Sequence, residues 1–218
     1  LLHPRSPLAN TYLGRTIAAN HELFARLHRR YAKPSFGIES IERAGGRAQY
    51  YLPAREEEGY GLNAAAVRRL AERGARLIVT VDCGVTSVEE AALARELGVD
   101  LIITDHHEPG PIIPSALAVI NPLVPGSGYP FPRLTGAGIA FKIAWAMGQR
   151  LSAGERVSSE FRAFLVDAVA LAAIGAIADV APLLDENRIL ASYGVQALAA
   201  TTRPGLRALC RVASLGSG

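Results

Sequence analysis

Residues 76–107 read RLIVTVDCGVTSVEEAALARELGVDLIITDHH, and this stretch decides the fold. After Arg76 the chain is apolar and rich in β-branched residues as far as Val81, and Leu101 to Thr104 (LIIT) has the same character. Such short, uniformly apolar runs mark strands buried on both faces. Between them, Ser87 and Glu90 have capping-box spacing for a helix that Gly98 stops. Strand, helix and strand of this kind predict an α/β domain: a mainly parallel sheet in a three-layer αβα arrangement, with helices on both faces.

Working outward, Leu117 to Ile120 reads as a third buried strand, and Thr135 to Gln149, Glu160 to Ile174 and Asn187 to Ala200 as helices. Upstream, Asn63 can cap a helix that runs to Arg73, with Gly74 beyond it. The tyrosine-rich Arg47 to Leu52 reads as a strand, and Ile38 to Ala44 as a short helix closed by Gly45 and Gly46. Ile17, Phe24, Leu27 and Tyr31 lie near one face of a further helix that Pro34 ends, preceded by an irregular lead-in. The reading divides the chain into an N-terminal segment, residues 1–45, and a core, residues 46–218.

At 218 residues, with 50% hydrophobic and 20% charged residues, the chain can build one or two cores, which excludes disordered, collagen-like and coiled-coil classes. The apolar run from Ala168 to Ala178, bounded by Asp167 and Asp179, is shorter than the roughly 20 residues a bilayer requires, so no membrane partner is expected. There is no secretory start, and Cys83 and Cys210 are the only cysteines; a reducing, cytoplasmic setting follows. The net charge of +3 is uneven: residues 1–70 carry 11 Lys or Arg against 6 acids, the remainder 12 against 14. That asymmetry permits a nucleic-acid partner without identifying one.

The chemistry falls at the ends of the strands. Asp82 follows the first strand, and Asp105, His106 and His107 follow the second, 23 residues later, which is one crossover. Parallel strands joined this way end at one edge, where open α/β sheets bind ligands. Carboxylate with imidazole suits Mn²⁺ better than a thiolate zinc cage. A cap for the following helix is the competing reading for each Asp. Asp179 lies in the apolar run AIGAIADVAPLL, where an unpaired carboxylate is costly unless it ends a helix or meets a cation. Thr135-Gly136-Ala137-Gly138 opens an apolar helix, so Gly136 and Gly138 either offer backbone N–H groups to a phosphate or allow close helix packing.

Together, VTVDCG, LIITDHHEPG, AIADVAPLLDENRIL, YYLPAREEEGYGL (residues 50–62), INP (residues 120–122) and YPFPRLTGAGIAFKIAWAM (residues 129–147) resemble the DHH phosphoesterase superfamily, and within it the RecJ-like single-stranded-DNA exonucleases. The likeness is close to continuous from about Gly45 to about Leu198. It implies a two-metal phosphodiesterase using Mn²⁺ or Mg²⁺ that degrades single-stranded DNA from its 5′ end, in DNA repair and recombination. By the same resemblance Asp82 bridges the metals, His106 and Asp179 bind one of them, His107 faces the scissile phosphate, and Asp105 supports the imidazoles from behind. Arg55 and Tyr60 match a cleft element, a phosphate contact and a stacking ring.

One part of the family pattern is missing. RecJ-like proteins carry an earlier Asp-x-Asp, where this chain reads LHRRYAKPS; residues 1–38 hold no aspartate, and Glu22 is their only acid. His21, His28 and Glu22 are the available donors there, at a spacing that suits a solvated helix face. One metal site is therefore expected to be impaired. The family's second domain and its nucleic-acid-binding barrel are also expected to be absent. Another DHH phosphoesterase, acting on oligoribonucleotides, cyclic dinucleotides or pyrophosphate, and a catalytically silent DNA- or partner-binding module are the alternatives.

Overall fold

The computed structural model describes residues 38–51, 53, 58–152 and 157–212. In chain order the elements are α1 (Ile38–Arg43), α2 (Ala64–Glu72), β1 (Leu77–Val81), α3 (Val88–Glu96), β2 (Asp100–Thr104), β3 (Ala118–Ile120), α4 (Gly136–Leu151), α5 (Ser159–Ala178), α6 (Asp185–Ala199) and α7 (Pro204–Val212). The helix expected over Ile17 to Tyr31 lies outside the described residues.

The three strands form a parallel sheet in the order β1-β2-β3, with Val79 opposite Ile102 and Thr104 opposite Ile120. Successive strand side chains point to opposite faces, and this alternation sorts the core into two. Leu77, Val79, Ile102, Ala118 and Ile120 meet Ile139, Ile143 and Trp145 of α4, Phe161, Leu165 and Val169 of α5 and Leu190 of α6. Ile78, Leu101, Ile103 and Val119 meet Val67 of α2 and Ala91, Leu93 and Ala94 of α3. The expected three-layer α/β arrangement is thus realised, and because the strands are parallel their C-terminal ends share one edge.

Several local details differ from expectation. Residues 47–51 form no strand; most of them are exposed, so they offer no apolar face to join the sheet. Ser87 precedes α3 but its side chain makes no capping bond. Its N–H donates to the Gly84 carbonyl in a turn and its ψ is 65°, away from the extended backbone that lets a serine reach back to the helix. Asn63 and Thr135 do cap, accepting from the N–H groups of Ala66 and Gly138. Helix α7 is not among the expected helices; it opens on Pro204, which suits a first helical position because the N–H it lacks would be unpaired there.

Helix α5 is longer than the expected Glu160 to Ile174, because Gly175, Ala176, Ile177 and Ala178 continue it to the cap at Asp179. By length and composition alone this 20-residue helix is apolar enough to cross a membrane, which corrects the reading of its run as too short. Within the fold it packs between α4 and α6, and Asp167 pairs with Arg203, tying α7 to the middle of the helix.

Candidate metal centre at the C-terminal edge of the sheet

Each strand passes directly into a polar residue at the shared edge: β1 into Asp82, β2 into Asp105, β3 into Asn121. The ladder reaches one place further for the first two, since Asp82 N–H donates to the Thr104 carbonyl (2.9 Å) and Asp105 N–H to that of Ile120 (3.0 Å). Asp82 then turns sharply, with φ at 64°, a left-handed conformation that aspartate tolerates better than most residues. Tyr60 holds the turn by donating its hydroxyl to the Asp82 carbonyl at 2.8 Å.

The Asp82 side chain is half exposed and lies against the first residue of α4. A Cβ at Gly136 would sit 2.2 Å from Asp82 Oδ1, so only glycine leaves room for the carboxylate. Gly138 behaves differently. Its N–H is taken by Thr135 Oγ1 (3.1 Å), and a Cβ there would stand 2.7 Å from Leu134 Cδ1. Close packing therefore accounts for Gly138, and its N–H is not free for a ligand.

His106 Nε2 stands between two carboxylates, 2.9 Å from Asp82 Oδ1 and 3.7 Å from Asp179 Oδ2. The hydrogen bond to Asp82 raises the pKa of the ring; burial opposes this, and the charges of Asp82, Asp179 and Asp105 add to it. Asp179 arrives from the opposite layer as the C-terminal cap of α5, about half exposed. The turn that delivers it is a Schellman pair: Val180 N–H donates to Ile177 O (3.1 Å) and Ala181 N–H to Ala176 O (3.2 Å). Val180 fills the left-handed position, φ 53°, where glycine is usual.

Asp105 is the buried anchor, 1% exposed. Its Oδ2 accepts from Val85 N–H (2.9 Å), and its Oδ1 from the N–H groups of His106 (2.8 Å) and His107 (3.2 Å) and from His107 Nδ1 (2.6 Å). Burial works against its ionisation, but these donors outweigh it and hold the carboxyl below the usual range. A carboxylate only accepts, so His107 Nδ1 carries the proton in this contact. The His107 ring meets Tyr60 edge-on, with centroids 6.3 Å apart.

Of the residues singled out from sequence, Asp82, His106, His107, Asp105, Asp179, Tyr60 and Gly136 come together at this edge. Arg55 lies outside the described residues, as do His21, Glu22 and His28. Asp82, His106 and His107 each offer one ligand atom within 4.8 Å of the others. The donor set, carboxylate oxygen with imidazole nitrogen, fits a divalent cation. Sequence reasoning passed over Asn121, whose Nδ2 donates to the His107 carbonyl (2.9 Å). The signal was present in INP, an asparagine directly after an apolar strand.

Comparisons with known proteins give the family. The model of the DHH family, N-terminal domain, matches residues 16–173. The single-stranded-DNA-specific exonuclease RecJ of Bacillus subtilis is 45% identical over 175 residues, 80% of this chain and 21% of that protein. The Escherichia coli RecJ is 40% identical over 186 residues, 84% of this chain and 31% of that protein. The chain thus spans between about a fifth and a third of the length of these relatives. Among solved structures, exonuclease RecJ bound to manganese superposes with a TM-score of 0.69 at 35% identity, over 80% of this chain and 42% of that one. RecJ from Thermus thermophilus in complex with Mn²⁺ gives 0.67 at 31% identity, over 82% and 24%.

Proposed function

This chain belongs to the DHH family, and from that premise we propose that it carries the metal-dependent phosphodiesterase core, residues 46–218, of a RecJ-like 5′-to-3′ exonuclease acting on single-stranded DNA. The observation that carries the reading is the position of His106 Nε2 between the carboxylates of Asp82 and Asp179. Asp82, His106 and Asp179 are the residues that would hold Mn²⁺ or Mg²⁺. When bound, such a cation lowers the pKa of its water toward neutrality and offsets charge on a phosphate.

The remaining roles belong to the chain. Asp105 locks both histidines by their backbone and His107 by its ring, so His107 meets a phosphate in one orientation. Tyr60, 60% exposed, offers a ring face on which a base can stack, and Gly136 gives the cleft its clearance beside Asp82. Arg55 is assigned a backbone-phosphate contact on the family match alone. The excess of basic residues in the first 70 supports a polyanionic partner. Relatives that process DNA support a cytoplasmic location, and the packing of α5 between α4 and α6 supports a chain without membrane contact.

A catalytically silent DNA-binding module is the second reading, favoured by one observation: residues 1–38 hold no aspartate to complete a second metal site. Two measurements separate the readings. Mn²⁺ in about 100-fold excess over its Kd is expected to stabilise the chain by about 2.7 kcal/mol, seen as a raised melting temperature that Asp82→Asn abolishes. Mononucleotides are expected to appear from 5′-labelled single-stranded DNA in Mn²⁺. A melting temperature indifferent to Mn²⁺ overturns the metal centre, and a Mn²⁺ response without nucleotide release leaves the silent module.

A further inference from the structure

The edge of the sheet ends in three polar residues, and the third stands apart from the expected ligands. Asn121 is 5% exposed and makes two bonds that only a carboxamide can make together. Its Oδ1 accepts from Leu123 N–H (2.7 Å), closing a local turn, and its Nδ2 donates to the His107 carbonyl (2.9 Å). The 106–107 segment is therefore gripped at both ends. Asp105, from β2, takes its two N–H groups and the His107 ring; Asn121, from β3, takes its last carbonyl. With one grip alone, the peptide after His107 could rotate about the Asp105 anchor and carry the ring with it.

We propose that Asn121 is a positioning residue, which fixes the backbone of His107 so that its ring stays on Asp105 and turns Nε2 toward the phosphate. The assignment rests on the phosphodiesterase reading of the site. It extends that reading to a strand carrying none of the expected metal ligands, and it explains why asparagine stands at a position where a purely local turn would accept aspartate or serine equally.

Asn121→Asp tests it, because the shape and the acceptor for Leu123 N–H are kept while the donor to the His107 carbonyl becomes an oxygen facing an oxygen. The first readout is the proton on His107 Nδ1, followed by NMR in the metal-free chain with ¹⁵N-labelled histidine. In the unaltered chain that proton is expected to be slow to exchange and strongly downfield; in Asn121→Asp it is expected to be lost, with the Leu123 amide still protected. The second readout is turnover of 5′-labelled single-stranded DNA. It is expected to fall roughly 10–100-fold in kcat, the range for residues that orient site groups, with KM little changed. Asn121→Ser, which keeps a shorter acceptor and loses the reach to His107, should behave alike if the aspartate variant does not fold.

An unchanged His107 signal in a folded variant overturns the proposal. So does loss of the His107 and Leu123 signals together, since that would make Asn121 a residue of the turn alone. If the unaltered chain cuts no DNA, the NMR comparison still decides the matter, and that failure counts against the phosphodiesterase reading only.

Discussion

Two clusters of ionisable groups lie along helix α4, and they are built to opposite plans. At its start, Asp82, His106 and Asp179 share one imidazole between two carboxylates that are each about half exposed. Further along, Lys142 and Glu186 pair one to one, 4% and 10% exposed, with the Tyr129 hydroxyl bonded to both. Burial lowers the lysine pKa against the pull of Glu186, and burial first and then Glu186 raise that of Tyr129. The inner cluster is closed: each charge has its partner, and no further ion is called for. The outer one is open and, among the described residues, sets one imidazole against two carboxylates, which suits it to taking up a cation. A cleft of about 330 Å³ opens beside Lys142 and Glu186, walled by Trp145, Leu165, Val169 and Tyr193.

The contrast can be broken or sharpened by substitution. The largest effect is expected inside. Lys142→Met leaves the Glu186 charge buried and unpaired and should destabilise the fold by about 3–5 kcal/mol in denaturant unfolding. The double variant Lys142→Met/Glu186→Leu should regain most of this. If the single substitution is harmless, the inner cluster is not closed as described.

Next come two glycines of the same helix. Gly136→Ala drives a methyl into the Asp82 carboxylate and should weaken Mn²⁺ binding, measured by calorimetry, by roughly 10–100-fold. Gly148→Ala meets the Phe161 ring 2.5 Å away in the core; it should lower stability and leave Mn²⁺ affinity as it was. Equal effects on affinity would erase the distinction between rim and core. A gain is expected at Val180→Gly. A left-handed non-glycine residue costs about 1–2 kcal/mol, and glycine's greater unfolded freedom offsets about half of that, so unfolding should become harder by roughly 0.5–1 kcal/mol.

The smallest effect is a pH step confined to the outer cluster. The folded-state pKa of His106 is raised, so the protonated ring contributes stability that is complete below the unfolded histidine value of about 6.5 and is lost as pH climbs through the folded value. Melting of the metal-free chain should therefore decline above the ordinary histidine range. His106→Gln should flatten the decline, and the Lys142→Met/Glu186→Leu double variant should keep it.

Much of this was legible in the chain. The apolar runs ending at Val81 and Thr104 placed Asp82 and His106 at one edge, because a single crossover leaves no other arrangement for parallel strands. What resisted reading was either local competition or distant partnership. Ser87 has the spacing of a cap, but the turn that holds Val85 on Asp105 takes its backbone elsewhere. Gly136 and Gly138 look alike in sequence; one faces Asp82 and the other faces Leu134, which only the direction of the helix decides. Lys142 and Glu186 lie 44 residues apart, and nothing local announces that they meet. Asn121 was hidden because its partner is a carbonyl, which every residue carries.

Asp179 sits where α5 ends and Gly136 where α4 begins, and the backbone itself is polarised at such places, by about half an elementary charge of negative sign at a C-terminus and of positive sign at an N-terminus. The rim therefore has a direction. Its Asp179 side is more electronegative than the side chains alone would make it, and its Gly136 side less so. Any dipolar ligand arriving there would meet a field that turns it before a side chain has closed on it.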